Sequence, residues 1–312
     1  MSRTGVRRSM IVLFFMATVA AMWCQSSPQP SSDEGQGWPK WRGPNGDGIS
    51  TETGWNPAAL AGGPKVVWTA NVGGGVSGLV FRNGRLFTMS KNWSKETVLC
   101  LDAETGDEIW RYSYDTAGAT GMDAQPTPTV GGNFVYTLGT RGDVCCLSVE
   151  DGTVLWQKNI VKDYKALKES NDFGTSPIIQ GDLLILNVNS SGMALDKRTG
   201  ALVWTSAIGS PLSDGKHATP VLYESNGTPS ALLLSNQALV SVEPATGRVL
   251  WSYALPGTSC RIVDPVLWGS NVLIQLDGGR LIDISRQPVP ECLRERRHVD
   301  QGSRQHADVR RR

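Results

Sequence analysis

The sequence predicts an all-β protein, a β-propeller of four-stranded antiparallel blades, with an incomplete ring of about four to five blades. Three observations carry this. An eleven-residue segment ending in Trp recurs four times, with its glycines at 106, 152, 200 and 247, so the period is 46, 48 and 47 residues. A proline recurs upstream of the later segments, at Pro128, Pro177, Pro220 and Pro265. The pattern then breaks inside a fifth unit, after residue 285.

Taken in order, the chain opens on an export signal, residues 1–24. Arg3, Arg7 and Arg8 precede an almost wholly apolar stretch from Met10 to Met22. That stretch falls short of the ~20 residues a membrane span needs, and small residues at Val19, Ala20 and Ala21 suit cleavage. A lipid anchor on Cys24 is one alternative, against which the bulky Trp23 before it counts. Arg7-Arg8-Ser9-Met10-Ile11 resembles a twin-arginine signal, the other alternative. Residues 25–37 are polar and read as a flexible linker.

The repeat region spans 38–285. It begins with Trp38-Pro-Lys-Trp41-Arg-Gly-Pro-Asn-Gly-Asp-Gly48. Asn45 to Gly48 has the look of a calcium loop without its distant Glu, and reads as a turn. Lys65-Val-Val-Trp68 follows, the last strand of a motif whose earlier strands are missing upstream.

The four complete motifs run Cys100 to Trp110, Cys146 to Trp156, Ala194 to Trp204 and Ser241 to Trp251. Each holds a small residue, then Asp, Ser or Glu, then Gly and Trp at fixed offsets. Asp102, Gly106 and Trp110 are the key positions of the first motif, and Gly152 and Trp156 those of the second. Asp196, Gly200 and Trp204 serve the third; Gly247 and Trp251 serve the fourth. The acid-to-Gly part suits a hairpin turn, with Gly at a positive φ and Trp on the following strand. Phe134, Tyr136 and Leu138 alternate with other residues as in a half-buried strand. The recurring prolines mark the first strand of each unit, where a missing N–H is tolerated. Lys162 to Ser170 reads as a solvated insert between blades, with a short helix on an inter-blade loop as the alternative.

Gly279-Arg-Leu-Ile-Asp-Ile-Ser285 opens a fifth unit, but its Thr, Gly and Trp positions hold Pro288, Val289 and Leu293. Residues 286–312 carry eight Arg, no Lys and no aromatic residue. They read as an Arg-rich disordered or frameshifted tail, and the propeller as C-terminally truncated.

Charge narrows the partners. Residues 25–285 hold 19 basic and 25 acidic side chains, a net of −6. A body of that sign is unsuited to binding phosphate backbones, so nucleic acid is excluded as a partner. No segment reads as a transmembrane domain.

The motif resembles the tryptophan-docking repeat of PQQ-like (quinoprotein-like) β-propellers, Ala-x-Asp-x-x-Thr-Gly-x-x-x-Trp. Ala194 to Trp204 matches at every fixed position, while the others depart at Cys100, Cys146, Ser241, Ser148, Glu243 and Asp151. The resemblance implies that each Trp ties one blade to the next. It also extends to the outer-membrane-assembly scaffolds of the BamB kind, which implies an exported, non-catalytic binding protein or scaffold in the periplasm or cell envelope. The expected partner is an envelope protein or a polar ligand on the propeller face. A PQQ-dependent dehydrogenase is the alternative, and a remnant without activity a second one.

The chemistry-bearing residues are few. Cys145-Cys146 resembles the adjacent cysteines on which quinoprotein alcohol dehydrogenases stack PQQ. Register gives another account, because the pair aligns with Leu99-Cys100, Met193-Ala194 and Val240-Ser241, a large apolar residue and then a small one. No other residues match a PQQ or calcium site, so neither cofactor is expected, and no metal or catalytic residues are assigned. His217 is the only His between residues 25 and 285. Residues just ahead of the innermost strands line a propeller's funnel, which makes Asp123, Gln125, Asp172, Lys216, His217 and Arg261 the binding candidates.

Overall fold

The computed structural model describes residues 37–116, 126–166, 173–206, 217–225, 227–255, 263–275 and 278–285. The signal, most of the linker, the tail, Cys24, Cys260 and Cys292 lie outside the described residues. Five antiparallel sheets follow one another along the chain. Blade 1 comprises β2 (Val80–Arg82), β3 (Arg85–Asn92), β4 (Lys95–Asp102) and β5 (Glu108–Asp115), with β1 (Gly37–Trp38) added on the free edge of β2. Blade 2 is β6 (Thr129–Gly131), β7 (Phe134–Leu138), β8 (Asp143–Ser148) and β9 (Val154–Asn159). Blade 3 holds β10 (Ile178–Gln180), β11 (Leu183–Leu186), β12 (Met193–Asp196) and β13 (Leu202–Thr205). Blade 4 holds β14 (Val221–Ser225), β15 (Thr228–Leu234), β16 (Ala238–Val242) and β17 (Val249–Ala254). Blade 5 has three described strands, β18 (Val266–Trp268), β19 (Asn271–Gln275) and β20 (Gly279–Asp283). Among the described residues these sheets form an incomplete propeller whose ring is not closed.

The apolar cores lie between blades rather than within one. Phe87, Val98 and Trp110 of blade 1 pack with Val130, Val135 and Leu147 of blade 2. Tyr136, Val144 and Trp156 pack in turn with Leu184, Met193 and Leu195 of blade 3, and the pattern continues between blades 3 and 4 and between 4 and 5. A sheet gripped on both faces need not alternate. Hence β7 is not the half-buried strand its sequence reads as: Val135, Tyr136, Thr137 and Leu138 are all buried. At the open end, Val266, Leu273 and Leu281 of blade 5 remain exposed.

One further reading needs adjusting. The inter-blade helix, α1 (Ile160–Tyr164), starts two residues earlier than Lys162, because the Asn159 side chain caps it by accepting the Lys162 N–H. It ends at Lys165, which has left-handed backbone (φ 57°). Residues 167–170 lie outside the described residues. Asn45 to Gly48 does form turns: the Gly48 N–H donates to the Arg42 carbonyl and the Ile49 N–H to the Asp47 carboxylate.

Candidate functional site: inter-blade joints and the funnel mouth

The motif residues build one joint per blade. In each motif the small residue stands directly across the ladder from the Trp: Cys100 opposite Trp110, Cys146 opposite Trp156, Ala194 opposite Trp204 and Ser241 opposite Trp251. A bulge follows the small residue every time. It re-aims the ring, a common use of bulges. All four Trp rings are buried, between 6% and 9% exposed.

Each indole then docks on the next blade. Trp68 donates to the Ala103 carbonyl at 3.1 Å, Trp110 to Val149 at 2.9 Å, Trp156 to Lys197 at 3.1 Å and Trp204 to Pro244 at 2.8 Å. Three residues beyond each acceptor sits the motif Gly. A Cβ on Gly106, Gly152, Gly200 or Gly247 would meet the docked ring at 2.5–2.7 Å, and all four have φ between 70° and 78°. Trp251 differs, donating to the Tyr223 hydroxyl of its own blade. The acid of each turn organises the loop. Main-chain N–H groups of Thr105 and Glu104 bind Asp102 and hold its carboxyl below the ordinary value; the Thr199 hydroxyl, with the N–H groups of Thr199 and Arg198, does the same for Asp196.

At the opposite ends of the blades, a second series of joints lines the funnel mouth. The Gly78 N–H donates to the Thr127 hydroxyl at 2.9 Å, the Thr127 N–H to the Ser176 hydroxyl at 2.9 Å, and the Ser176 N–H to the Thr219 hydroxyl at 3.3 Å. The Thr219 N–H ends on the Asp264 carboxylate at 2.6 Å. Four blade-to-blade bonds thus run through side chains that each sit just before a recurring proline. Sequence reasoning marked those prolines and passed over the residue ahead of them. The signal was there, a hydroxyl or carboxyl at all four positions. Burial pushes the Asp264 carboxyl up, against the pull of the Thr219 N–H, the Trp41 indole and the Arg42 charge.

The segment 37–48 crosses this mouth. Gly37 and Trp38 pair antiparallel with Arg82 and Phe81, the Pro39 carbonyl accepts from the Val130 N–H at 2.7 Å, and the Trp41 indole donates to Asp264 at 2.6 Å. Beside it lies a cavity of about 540 Å³ walled by Trp41, Arg42, Val76, His217, Thr219 and Val263, among others. His217 is therefore at the mouth. Asp123, Gln125, Asp172, Lys216 and Arg261 lie outside the described residues.

A third polar centre is buried between blades 1 and 2. Glu96 is fully buried and accepts from the Tyr114 hydroxyl at 2.8 Å, the Thr140 N–H at 2.9 Å and the Thr140 hydroxyl at 2.6 Å. The buried carboxylate raises the Tyr114 phenol well above its ordinary value, an effect second to burial itself.

The cysteine pair does not fit a quinone cofactor. Cys145 and Cys146 are successive residues of a regular strand, so their side chains leave opposite faces of β8. Cys145 enters the core between blades 1 and 2, and Cys146 the one between blades 2 and 3. Both are free thiols whose ionisation burial pushes up, Cys146 to about 11. Among the described residues no group of three or more His, Cys, Asp or Glu is placed to hold a metal ion, and no helix is long and apolar enough to cross a membrane.

Known proteins are similar to this chain in sequence and in fold. Tetrathionate hydrolase from Acidithiobacillus ferrooxidans is 25% identical over 67% of this chain and 43% of its own length. The outer membrane protein assembly factor BamB of Shewanella oneidensis is 22% identical over 71% of this chain and 58% of its own. The chain thus spans about half the length of these curated relatives. In fold it is similar to a crystal structure of quinohemoprotein alcohol dehydrogenase from Comamonas testosteroni, with a TM-score of 0.56 and 16% identity over 79% of this chain and 45% of that one. The sequence profile described as outer membrane protein assembly factor BamB matches residues 61–253 and 194–287, which hold all four Trp–Gly joints as well as the proline-flanked series at the funnel mouth, and the chain belongs to that family.

Proposed function

We propose that this chain is an exported, non-catalytic propeller that binds protein as a scaffold in the cell envelope. The family supports the scaffold reading, and one feature of the geometry carries it. Four polar side chains at the funnel mouth, where a propeller's ligand chemistry is usually placed, are engaged in holding blades together. Thr127, Ser176, Thr219 and Asp264 each accept a main-chain N–H from the preceding blade. A general base or nucleophile must be free to exchange a proton with substrate. Here such exchange would break a joint.

Large exposed side chains at the same end of blade 1 supply contact area instead. Trp93, at the tip of the β3–β4 hairpin, is 91% exposed and has positive φ (52°), a costly backbone for a bulky residue. A photo-crosslinking residue in place of Trp93 tests the reading in cells. The expected result is a crosslink to a component of the outer-membrane assembly machinery, recovered with the envelope fraction. A chain that stays in the cytoplasm, or that reaches the envelope and crosslinks to no such component, overturns it.

A further inference from the structure

The segment 37–48 is held by the contacts that a bound peptide would make. Its strand β1 adds to the inner edge of β2, and among the described residues no other blade has a strand in that position. Main-chain pairing continues to blade 2 through the Pro39 carbonyl and the Val130 N–H. Two indoles, three residues apart, fix its register. Trp38 packs under the turn that follows it, so close that a Cβ on Gly43 would meet its ring at 2.8 Å. Trp41 reaches across the mouth to Asp264, 223 residues away in sequence. Strand addition for affinity, with side-chain anchors for specificity, is a general mode of peptide recognition.

The acceptor is selective. The part-buried carboxylate of Asp264 receives the Thr219 N–H on one oxygen and the Trp41 indole N–H on the other. A Phe in place of Trp41 would fill similar space but leave that oxygen without its donor. Arg42 adds a cation next to the same carboxylate. The cavity of about 540 Å³ beside Trp41 leaves room along the groove for more chain than the segment itself occupies.

We propose that the funnel mouth is a binding groove for an extended peptide of the pattern Trp-x-x-Trp-Arg, and that the chain's own segment 37–48 occupies it in cis. The partner is thus a protein that presents such a strand in an unstructured segment, and binding requires the resident segment to leave. This deepens the scaffold reading by naming its ligand class, and it is testable on the purified chain without any envelope component.

The probe is a fluorescein-labelled peptide with the sequence of residues 37–48. Full-length protein carrying Trp41→Ala, which weakens the resident segment, should bind this peptide saturably. Binding should be at least roughly ten-fold tighter than to the wild-type chain, the loss expected for one hydrogen bond to a charged acceptor. The same peptide with Trp41→Phe should bind the variant roughly ten-fold more weakly. If Trp41→Ala unfolds the protein, a protease site placed between Thr51 and Trp55 cuts the wild-type chain after the segment instead. The released N-terminal fragment should stay with the body on gel filtration and be displaced by excess peptide. No saturable binding to a folded Trp41→Ala chain, equal binding of the Trp and Phe peptides, or a cut fragment that departs and is not replaced by peptide would each overturn the proposal. Failure here with successful crosslinking at Trp93 leaves the scaffold reading standing; the reverse outcome removes the scaffold reading alone.

Discussion

The ring of Trp156 lies over Gly200 so closely that a methyl group on that glycine would come within 2.6 Å of it. The same pair of demands, positive φ and no side chain, recurs at every docked joint. Gly200→Ala should therefore cost about 2–4 kcal/mol, combining backbone strain with overpacking against the ring. Gly181, also at positive φ (58°) but with open space around it, is the control. Gly181→Ala should cost only about 1 kcal/mol. Urea unfolding of the two variants checks this; equal losses would mean that docking adds nothing.

Removing the ring itself should cost more than crowding it. Trp204→Ala takes away a buried indole, its bond to Pro244 and part of the core between blades 3 and 4. A loss of roughly 3–5 kcal/mol is expected. Trp204→Phe keeps much of the packing and should recover more than half of it in the same urea experiment.

Glu96 is the most consequential single polar residue between blades 1 and 2. Glu96→Leu removes the acceptor of three donors at once and should destabilise by about 3–5 kcal/mol, as expected when several buried donors lose their partner. Glu96→Gln keeps an acceptor oxygen and should cost distinctly less. Thermal unfolding of both variants gives the comparison, and identical melting temperatures would contradict it.

The cysteines carry a pH prediction. Burial raises Cys100 and Cys146 from 9.0 to about 11. A folded-state value above the unfolded one means full stabilisation below about pH 9, lost as pH rises towards 11. At pH 8 a thiol of that pKa is ionised to about one part in a thousand. Ellman's reagent should therefore find Cys100, Cys145 and Cys146 unreactive at pH 8 until urea unfolds the chain. Rapid reaction of the folded protein at these positions would contradict the burial seen here.

Cofactor loading gives a fifth check. With Cys145 and Cys146 on opposite faces of β8, incubation with PQQ and calcium should yield no stoichiometric quinone absorbance and no dye-linked alcohol oxidation. Either signal would show that β8 rearranges to bring the two sulfurs onto one face.

How much of this was legible in the sequence depends on the physical kind of each residue. The Trp, the Gly and the small residue opposite the Trp could be read because each joint has one steric solution, so the same residue types return with the period. The funnel-mouth series was harder. A hydroxyl and a carboxyl accept the same N–H, so Thr127, Ser176, Thr219 and Asp264 share a role without sharing an identity, and the adjacent prolines drew the eye. Glu96 was not legible at all. On β4 it shares a face with Val98 and Cys100, where alternation calls for an apolar residue, and only blade 2 brings up Thr140 as its partner. The crossing of the mouth by residues 37–48 likewise depends on Asp264 being brought near Trp41, which no local pattern announces.

Because blades 1 to 3 each grip the next by the same indole over the same bare glycine, that stretch of the molecule behaves as a linear array with interchangeable couplings. Each of blades 1 to 3 presents a Trp to its successor and a Gly turn to what precedes it, so a copied or deleted unit leaves both neighbours with compatible faces. Blade number can then change by whole-unit gain or loss without any new kind of coupling. Among the described residues the same arithmetic makes blade 5 the weakest, since a neighbouring blade packs on one of its faces only. Hydrogen exchange should accordingly be slowest in β7, β8, β11 and β12, which have a neighbour on both faces, and should quicken outward to β19 and β20.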